Sequence, residues 1–323
     1  MRVVIIGAGL SGLFAAKTLD KLGHNTIMIE KGRSAGGRMA TRRIGEGRAD
    51  HGAQFFTVRS EELQKMTEDW LEKHWIKKWF GDDFPRYIGV EGMNPFIKKL
   101  SSSLSIELNE RAVNISSGPI GVTVHTEKGE HYEGDAVILT APVPQSLELL
   151  QKSPQLLNEE NERLLKSISF KSCFTGLLSM KTPIQIGRSG IQSKDLPDGV
   201  DKIVANDQKG ISAAPILSVY MSGDWSDSHF HLNDELVLEK LISTLPSSVT
   251  GQIDSSQLKR WRYSEANDVF RYPYMRLGPQ PVYLAGDSFL TENDSSGRTR
   301  IESAILSGIR AGEAVASDLS NNI

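Results

Sequence analysis

The stretch that decides the fold is Val3-Val4-Ile5-Ile6-Gly7-Ala8-Gly9-Leu10-Ser11-Gly12, followed by Thr26-Ile27-Met28-Ile29, which closes on Glu30. Four β-branched residues in a row, with no charge among them, read as a buried strand. The three glycines that follow have separate duties. The first allows a tight turn, the second lets the backbone approach a pyrophosphate, and the third lets helix and strand pack closely. Leu10, Leu13, Phe14, Leu19 and Leu22 then recur at helical spacing, and Gly23 ends that helix. Its N-terminus turns free amide hydrogens and a partial positive charge toward phosphates. Glu30, 18 residues past Gly12, is set to accept hydrogen bonds from an adenosine ribose. Together these parts form one βαβ dinucleotide-binding unit.

The rest of the chain bounds what can surround that unit. Its 323 residues suggest about two domains, and a net charge of −3 excludes the strong field that would draw nucleic acid or anionic lipid. A single cysteine, Cys173, rules out a disulfide framework and a multi-cysteine metal site, and reads as a small buried apolar residue. No H-E-x-x-H, Ser-His-Asp order or ligand cluster is visible, so no metal is expected. Met1-Arg2 runs straight into the first strand, without space for a signal peptide, and no apolar run reaches bilayer length. The expectation is a cytoplasmic protein with neither membrane nor nucleic-acid partner.

Beyond Glu30 comes Lys31-Gly32-Arg33-Ser34-Ala35-Gly36-Gly37-Arg38-Met39, a basic, glycine-rich loop whose amides and Arg38 offer a second approach to phosphate. Residues 61–80 read as an amphipathic helical stretch carrying Trp70, Trp75 and Trp79, a stripe more typical of packing than of a cofactor box. Asn94-Pro95 reads as an N-cap with proline at the first helical position. From 105 to 140 the period shortens. Ile106–Leu108, Ala112–Ile115, Val122–Val124 and Ala136–Leu139 are short strands, a β-rich insert unlike the continuing βα repeats of a plain nicotinamide dehydrogenase. Residues 150–275 are mixed, with a strand near Ile216–Tyr220, a helix near 234–245 and a loop-rich segment over 181–212. At the far end Val282–Ala285 is again a buried strand, followed by Gly286-Asp287 and a last helix bearing Ile301, Ala304, Ile305, Ile309 and Val315 on one face. Its small residues Ser303, Ala304, Ser307 and Gly308 permit close approach of something flat, and Asp287 is placed to accept from a ribityl or ribose hydroxyl.

These residues resemble a family. Gly7-x-Gly9-x-x-Gly12 with Glu30, Gly36-Gly37-Arg38-Met39 and Gly286-Asp287…Glu302-Ser303-Ala304…Ser307-Gly308 are similar to FAD-dependent oxidoreductases of the amine-oxidase superfamily. Asp50-His51-Gly52-Ala53-Gln54-Phe55-Phe56-Thr57 resembles the D-x-G-A-Q-Y/F-F-T signature of its renalase-like group. Gly92-Met93-Asn94, Ala205-Asn206-Asp207-Gln208-Lys209, Asp224-Trp225-Ser226 and Trp261-Arg262-Tyr263 resemble further segments of that group in the same order.

The resemblance implies an α/β fold: a Rossmann-like FAD-binding domain of the glutathione-reductase/p-hydroxybenzoate-hydroxylase type with a second, α+β substrate domain. Residues 1–60, 90–145 and 276–323 would form the discontinuous FAD-binding domain, and 61–89 with 146–275 the substrate domain. Noncovalent FAD would meet Gly7, Gly9, Leu10, Ser11, Gly12, Gly37, Arg38 and Met39 near its pyrophosphate, with Glu30 and Lys31 on the adenosine ribose side. Val113 would offer its backbone to adenine, Gly286 and Asp287 would meet the pyrophosphate or ribityl region, and Glu302, Ser303 and Ala304 the flavin ring. Gln54 and Phe55 would approach the ring on its substrate side. Gln54, Tyr220 and Trp225 are the candidate catalytic residues, with Trp261 beside them, although core packing is the commoner role for each of the aromatic ones. His51 is read as structural, and Arg262 and Arg271 as either phosphate contacts or surface residues.

The activity so implied is oxidation of dihydropyridine isomers of NAD(P)H, by hydride transfer to flavin N5, with O2 as electron acceptor giving H2O2. Such a substrate is already an electron-rich donor and needs orientation more than acid/base help. Amine oxidation by another flavin oxidoreductase, for which Tyr272 and Tyr274 would be the aromatic cage, and a flavin-binding sensor without turnover remain alternatives.

Overall fold

In the computed structural model, which describes residues 1–118 and 121–321, the chain divides into two compact units. Residues 119–120 and 322–323, part of the expected FAD-binding segments, lie outside the described residues. The first unit comprises Met1–Gly37, Ile97–Ser169 and Ala266–Ile323, and the second Arg38–Phe96 and Phe170–Glu265. Compared with the segments expected above, residues 38–60 and 90–96 fall in the second unit, and 146–169 and 266–275 in the first.

A six-stranded sheet organises the first unit, in the order Met275–Leu277, Val282–Leu284, Ala136–Leu139, Arg2–Ile6, Asn25–Glu30, Ile106–Leu108. Only the edge strand Met275–Leu277 runs antiparallel to its neighbour; the other five are parallel. Arg2–Ile6 is covered on both faces, which is why it reads as an unbroken apolar run. From this strand the chain leaves to Asn25–Glu30 on one side and later returns to Ala136–Leu139 on the other. The carboxyl end of such a switch strand is where open α/β sheets bind ligands.

Two helices of this unit, Leu10–Lys21 and Ile301–Asn321, pack through glycine. A Cβ on Gly308 would lie 2.1 Å from the Ser11 carbonyl oxygen, and one on Gly312 would lie 3.0 Å from that of Ala15. The small residues of the last helix are thus partly consumed inside the protein. Gly308 meets the first helix, and Ser307 Oγ accepts the Gly286 N–H at 2.8 Å. A separate three-stranded sheet, Ala112–Gly118, Gly121–Thr126 and His131–Gly134, forms the β-rich insert.

The second unit is built on a five-stranded sheet: Ile191–Gln192, Val200–Ala205, Ile216–Met221, Phe170–Met180 and Ile253–Ala266. Side chains alternate across it. Phe174, Leu178, Leu217, Val219 and Met221 face one core with Val237 and Leu241, whereas Leu177 and Ile216 face Ala49 on the other side. The segment 181–212 is mostly loop, as expected, but it also contributes the strand Val200–Ala205.

Two local expectations are corrected. The helix expected over 61–80 spans only Glu61–Glu72, capped by Ser60; His74 then turns with a φ of 53° and Trp79 lies on the strand Ile76–Phe80. Asn94 is not an N-cap, because the helix Met93–Leu100 starts one residue earlier. Its first amides are satisfied from far along the chain: Met93 N–H donates to Asp50 Oδ1 at 2.9 Å and Asn94 N–H to Thr41 Oγ1 at 2.9 Å. Among the described residues, no helix is long and apolar enough to cross a membrane, and no group of three or more His, Cys, Asp or Glu is arranged to hold a metal ion.

Candidate functional site

In the first unit the glycine turn leaves a cradle. Gly7 has a φ of 104°, which a side chain would strain, and a Cβ on Gly12 would lie 2.1 Å from the Gly7 carbonyl oxygen. Gly9 differs, since a Cβ there would meet nothing within 4 Å. No side chain caps the helix at Gly9, and the buried Ser11 Oγ has no hydrogen-bond partner. An uncapped helix start, an orphaned hydroxyl and open space before Gly9 fit an anionic ligand. Glu30 holds this turn in shape: Oε2 accepts the Ala8 N–H at 2.9 Å and Oε1 the Gly32 N–H at 2.6 Å. Leu10 is buried in the core beside the turn.

Other first-unit candidates stand as follows. Lys31 Nζ donates to Gln145 at 3.0 Å, and burial draws its pKa below the usual lysine value. Val113 is the extra residue of a bulge between the pairs Ala112↔Thr126 and Asn114↔His125, which leaves its backbone out of that ladder. Gly37 takes a φ of 53° in its loop. A Cβ on Gly286 would meet nothing within 4 Å, so open space lies there as well, and Asp287 beside it is largely buried.

The side chains of Glu302 and Ser303, expected at the flavin ring, are committed within the protein. Glu302 pairs with Arg300 Nη1 at 2.7 Å, Arg300 Nη2 lies 3.1 Å from Asp294, and Ser303 Oγ donates to Asp294 Oδ2 at 2.9 Å. Burial raises the Asp294 pKa, but hydrogen bonds from Ser296 and Ser303 and the charge of Arg300 outweigh it, and the carboxyl sits below its ordinary value. Ala304, in the same first turn, is partly exposed. The sequence placed Asp294 and Arg300 in a polar loop with no stated duty; their charges amid small residues were the available signal.

The second unit contains a buried polar hub centred on Asp50. Its Oδ2 receives Lys209 Nζ at 2.7 Å, with both side chains fully buried, while Oδ1 accepts Thr41 Oγ1 and the Met93 N–H. The Asp50 carbonyl accepts Ser218 Oγ at 2.7 Å and Gln54 Nε2 at 2.9 Å. Gln54 Nε2 also donates to the Tyr220 hydroxyl, and Gln54 Oε1 accepts from Lys209 Nζ at 2.9 Å. Tyr220 in turn lies 3.0 Å from the Gly52 carbonyl oxygen and 3.1 Å from that of Asp50. Burial and the Asp50 charge push the Tyr220 pKa well up. Burial pulls the Lys209 ammonium below its ordinary value, and Asp50 opposes that shift.

Gly52 is a position for glycine alone, since a Cβ there would lie 1.9 Å from the Arg38 carbonyl oxygen. Arg38 donates from Nη1 to Ser264 O at 3.1 Å, Met39 is buried, and Phe55 packs edge-on against Phe80. His51 stacks on Trp261, whose Nε1 donates to the His51 carbonyl at 2.7 Å. Burial, with Lys259 and Arg42 adding to it, lowers the His51 pKa to about 4. Burial lifts the Cys173 thiol to about 11.

Gln54 and Tyr220 are therefore brought together, but Trp225 is not with them. It lies on the helix Gly223–His229, edge-on to Phe174 and stacked on His229 at 4.1 Å, on the opposite face of the five-stranded sheet. Alternation along Ile216–Met221 decides this: Val219 and Met221 share Trp225's core, and Tyr220 points the other way. Arg262 lies over the Phe230 ring, which packs on that same core. What the sequence missed is Lys209, although its segment was singled out. Two separate motifs, Asp50–Thr57 and Ala205–Lys209, meet through one ion pair.

Comparison with known proteins decides the family. The family described as flavin-containing amine oxidoreductase matches residues 67–316, and an NAD(P)-binding Rossmann-like domain matches residues 5–70. The chain belongs to the flavin-containing amine oxidoreductase family. Renalase from Mus musculus is 26% identical over 92% of this chain and 95% of its own. In fold, the flavin-containing amine oxidoreductase chain resembles a putative protoporphyrinogen oxidase from Exiguobacterium, with a TM-score of 0.74 and 13% identity over 98% of this chain and 99% of that one. It also resembles a redesigned putrescine oxidase, with a TM-score of 0.70 and 14% identity over 100% and 99% of the two chains. The protein is an FAD-dependent oxidoreductase of that family.

Proposed function

We propose that this oxidoreductase oxidises dihydropyridine isomers of NADH or NADPH to NAD(P)+, with O2 taking up the electrons as H2O2. In this reading Gly7, Gly9, Leu10, Ser11 and Gly12 offer their turn to the FAD pyrophosphate and Glu30 faces the adenosine ribose. Val113 meets adenine, Asp287 the ribityl region, and the first turn of the helix Ile301–Asn321 the ring. Bound FAD supplies a two-electron acceptor that O2 can reoxidise. The sheet order about Arg2–Ile6 and the β-rich insert support the glutathione-reductase/p-hydroxybenzoate-hydroxylase type of FAD domain.

The observation that carries the substrate class is the commitment of the Tyr220 proton. Gln54 donates to this hydroxyl, and two backbone carbonyls stand at 3.0 and 3.1 Å to receive its hydrogen. With His51 neutral above about pH 4 and Cys173 protonated below about 11, these groups exchange no proton near neutrality. A reaction that asks them only to orient substrate fits that arrangement, and a dihydropyridine, already an electron-rich donor, undergoes such a reaction. The renalase match across most of the chain points the same way. The aromatic cage of an amine oxidase gains no support from Tyr272 and Tyr274, which stack on Phe270 and pack against Tyr283 respectively.

Anaerobic mixing of the yellow holoprotein with acid-generated NADH isomers tests the proposal. Bleaching of the flavin bands by the isomers, and not by primary amines or polyamines, is expected. Bleaching by an amine alone would assign amine oxidation instead. Peroxide at no more than the free-flavin rate with every substrate would make the protein a flavin-binding sensor.

A further inference from the structure

The buried Asp50–Lys209 pair has no place in the chemistry above, yet Lys209 divides its hydrogen bonds between Asp50 and Gln54. The oxygen and nitrogen ends of a glutamine amide are nearly alike in shape, so packing alone does not choose between them. The Lys209 ammonium chooses. Were the Gln54 amide reversed, its NH2 would face a cation in a fully buried site, donor against donor. With Oε1 held toward Lys209, Nε2 must point at the Asp50 carbonyl and the Tyr220 hydroxyl. The phenol, occupied as an acceptor, then gives its own hydrogen to the Gly52 or Asp50 carbonyl. Each link fixes the next, and the chain of bonds ends on the backbone of the Gly52–Phe55 segment.

We infer that Lys209 is a positioning residue: by setting the Gln54 amide it fixes the Tyr220 hydroxyl and the Gly52–Phe55 backbone in the one arrangement that receives substrate. This rests on the reading that the segment borders the substrate. The Asp50 carboxylate is what keeps the ammonium charged at this depth, and Trp79 adds its ring face 5.2 Å from Nζ.

The test is a cycle on the holoprotein using D50N/K209M, which removes both charges together, Q54M, and the triple variant. Each of the first two is expected to raise KM for the NADH isomer about tenfold with kcat within about threefold, and the triple no further. FAD content per chain is expected to stay unchanged. With glutamine-selective 15N labelling, the Gln54 side-chain amide resonances, assigned by their loss in Q54M, are expected to shift or split in D50N/K209M. Additive KM effects, or Gln54 resonances that do not move, would overturn the inference. Should D50N/K209M fail to fold, K209Q takes its place, keeping a donor toward Asp50 without the charge. If the unaltered protein oxidises no isomer, the proposed function has failed, and the amide resonances still decide the place of Lys209.

Discussion

Nζ of Lys209 stands 2.7 Å from Oδ2 of Asp50, and two residues 159 positions apart thereby bury opposite charges completely. Neither partner tolerates the loss of the other, because an unpaired charge at that depth keeps its desolvation cost without the attraction that offsets it. K209M is expected to lower unfolding free energy by about 3–5 kcal/mol. D50N/K209M should recover most of that loss. Urea unfolding of the three proteins checks both statements, and a K209M midpoint equal to that of the unaltered protein would refute them.

Two glycines of the first unit should separate folding from cofactor binding. A Cβ on Gly9 meets no protein atom within 4 Å, so G9A should fold with ordinary stability while placing a methyl group where the FAD phosphates belong. A Cβ on Gly308 would lie 2.1 Å from the Ser11 carbonyl oxygen, so G308A must push two helices apart, at a cost of about 2 kcal/mol or more. Thermal melts and FAD titration of the apoproteins distinguish them. G9A should keep its melting temperature and lose affinity at least about tenfold, and G308A should lose melting temperature.

His51 makes stability depend on acid. Its folded pKa of about 4 lies below the unfolded value of 6.5, so the unfolded chain binds the extra proton between the two. The contribution is complete above pH 6.5 and is lost as the pH falls toward 4. H51F keeps a ring against Trp261 and removes the titration. The stability lost between pH 7 and 4.5 is expected to be about 2 kcal/mol smaller in H51F than in the unaltered protein, measured by urea unfolding at both pH values.

Cys173 should be inert while the protein is folded. With its thiol pushed up to about 11, about one molecule in a thousand carries the thiolate at pH 8. Ellman's reagent at that pH is expected to release colour only after denaturant is added, with one thiol per chain. Prompt reaction of the native protein would contradict the raised pKa of this thiol.

The first sheet was legible because its residues encode local periods. The apolar run Val3–Ile6, the helical spacing after Leu10 and the return at Val282 each fall where the sequence puts them. What escaped depends on residues far apart. The start of the helix Met93–Leu100 belongs to Asp50 and Thr41, so a reading that looks only at Asn94-Pro95 misplaces it. Trp79 sits at a helical distance from Trp75, but a left-handed turn at His74 ends the helical run first. In the candidate site, Gln54 and Tyr220 were named from a motif and an alternating strand, and they meet. Trp225 was named beside them, yet it lies on a helix packed against the opposite face of the sheet, away from which alternation turns Tyr220. The pairing of Asp50 with Lys209 leaves no periodic trace, since the two charges lie in separate motifs that local spacing does not connect.

The contact between Gly308 and the Ser11 carbonyl also sets a timetable. A ribosome makes the glycine turn and its helix well before Ile301–Asn321, the helix that covers them. Until that helix emerges the apolar flank of Leu10–Lys21 stays uncovered, and the strand Arg2–Ile6 waits for Ala136–Leu139 on its second edge. The nascent chain is thus sticky until Ile301–Asn321 has emerged, and its dinucleotide cradle becomes rigid only then. FAD capture waits for that helix, and chaperone demand falls on Leu10–Lys21.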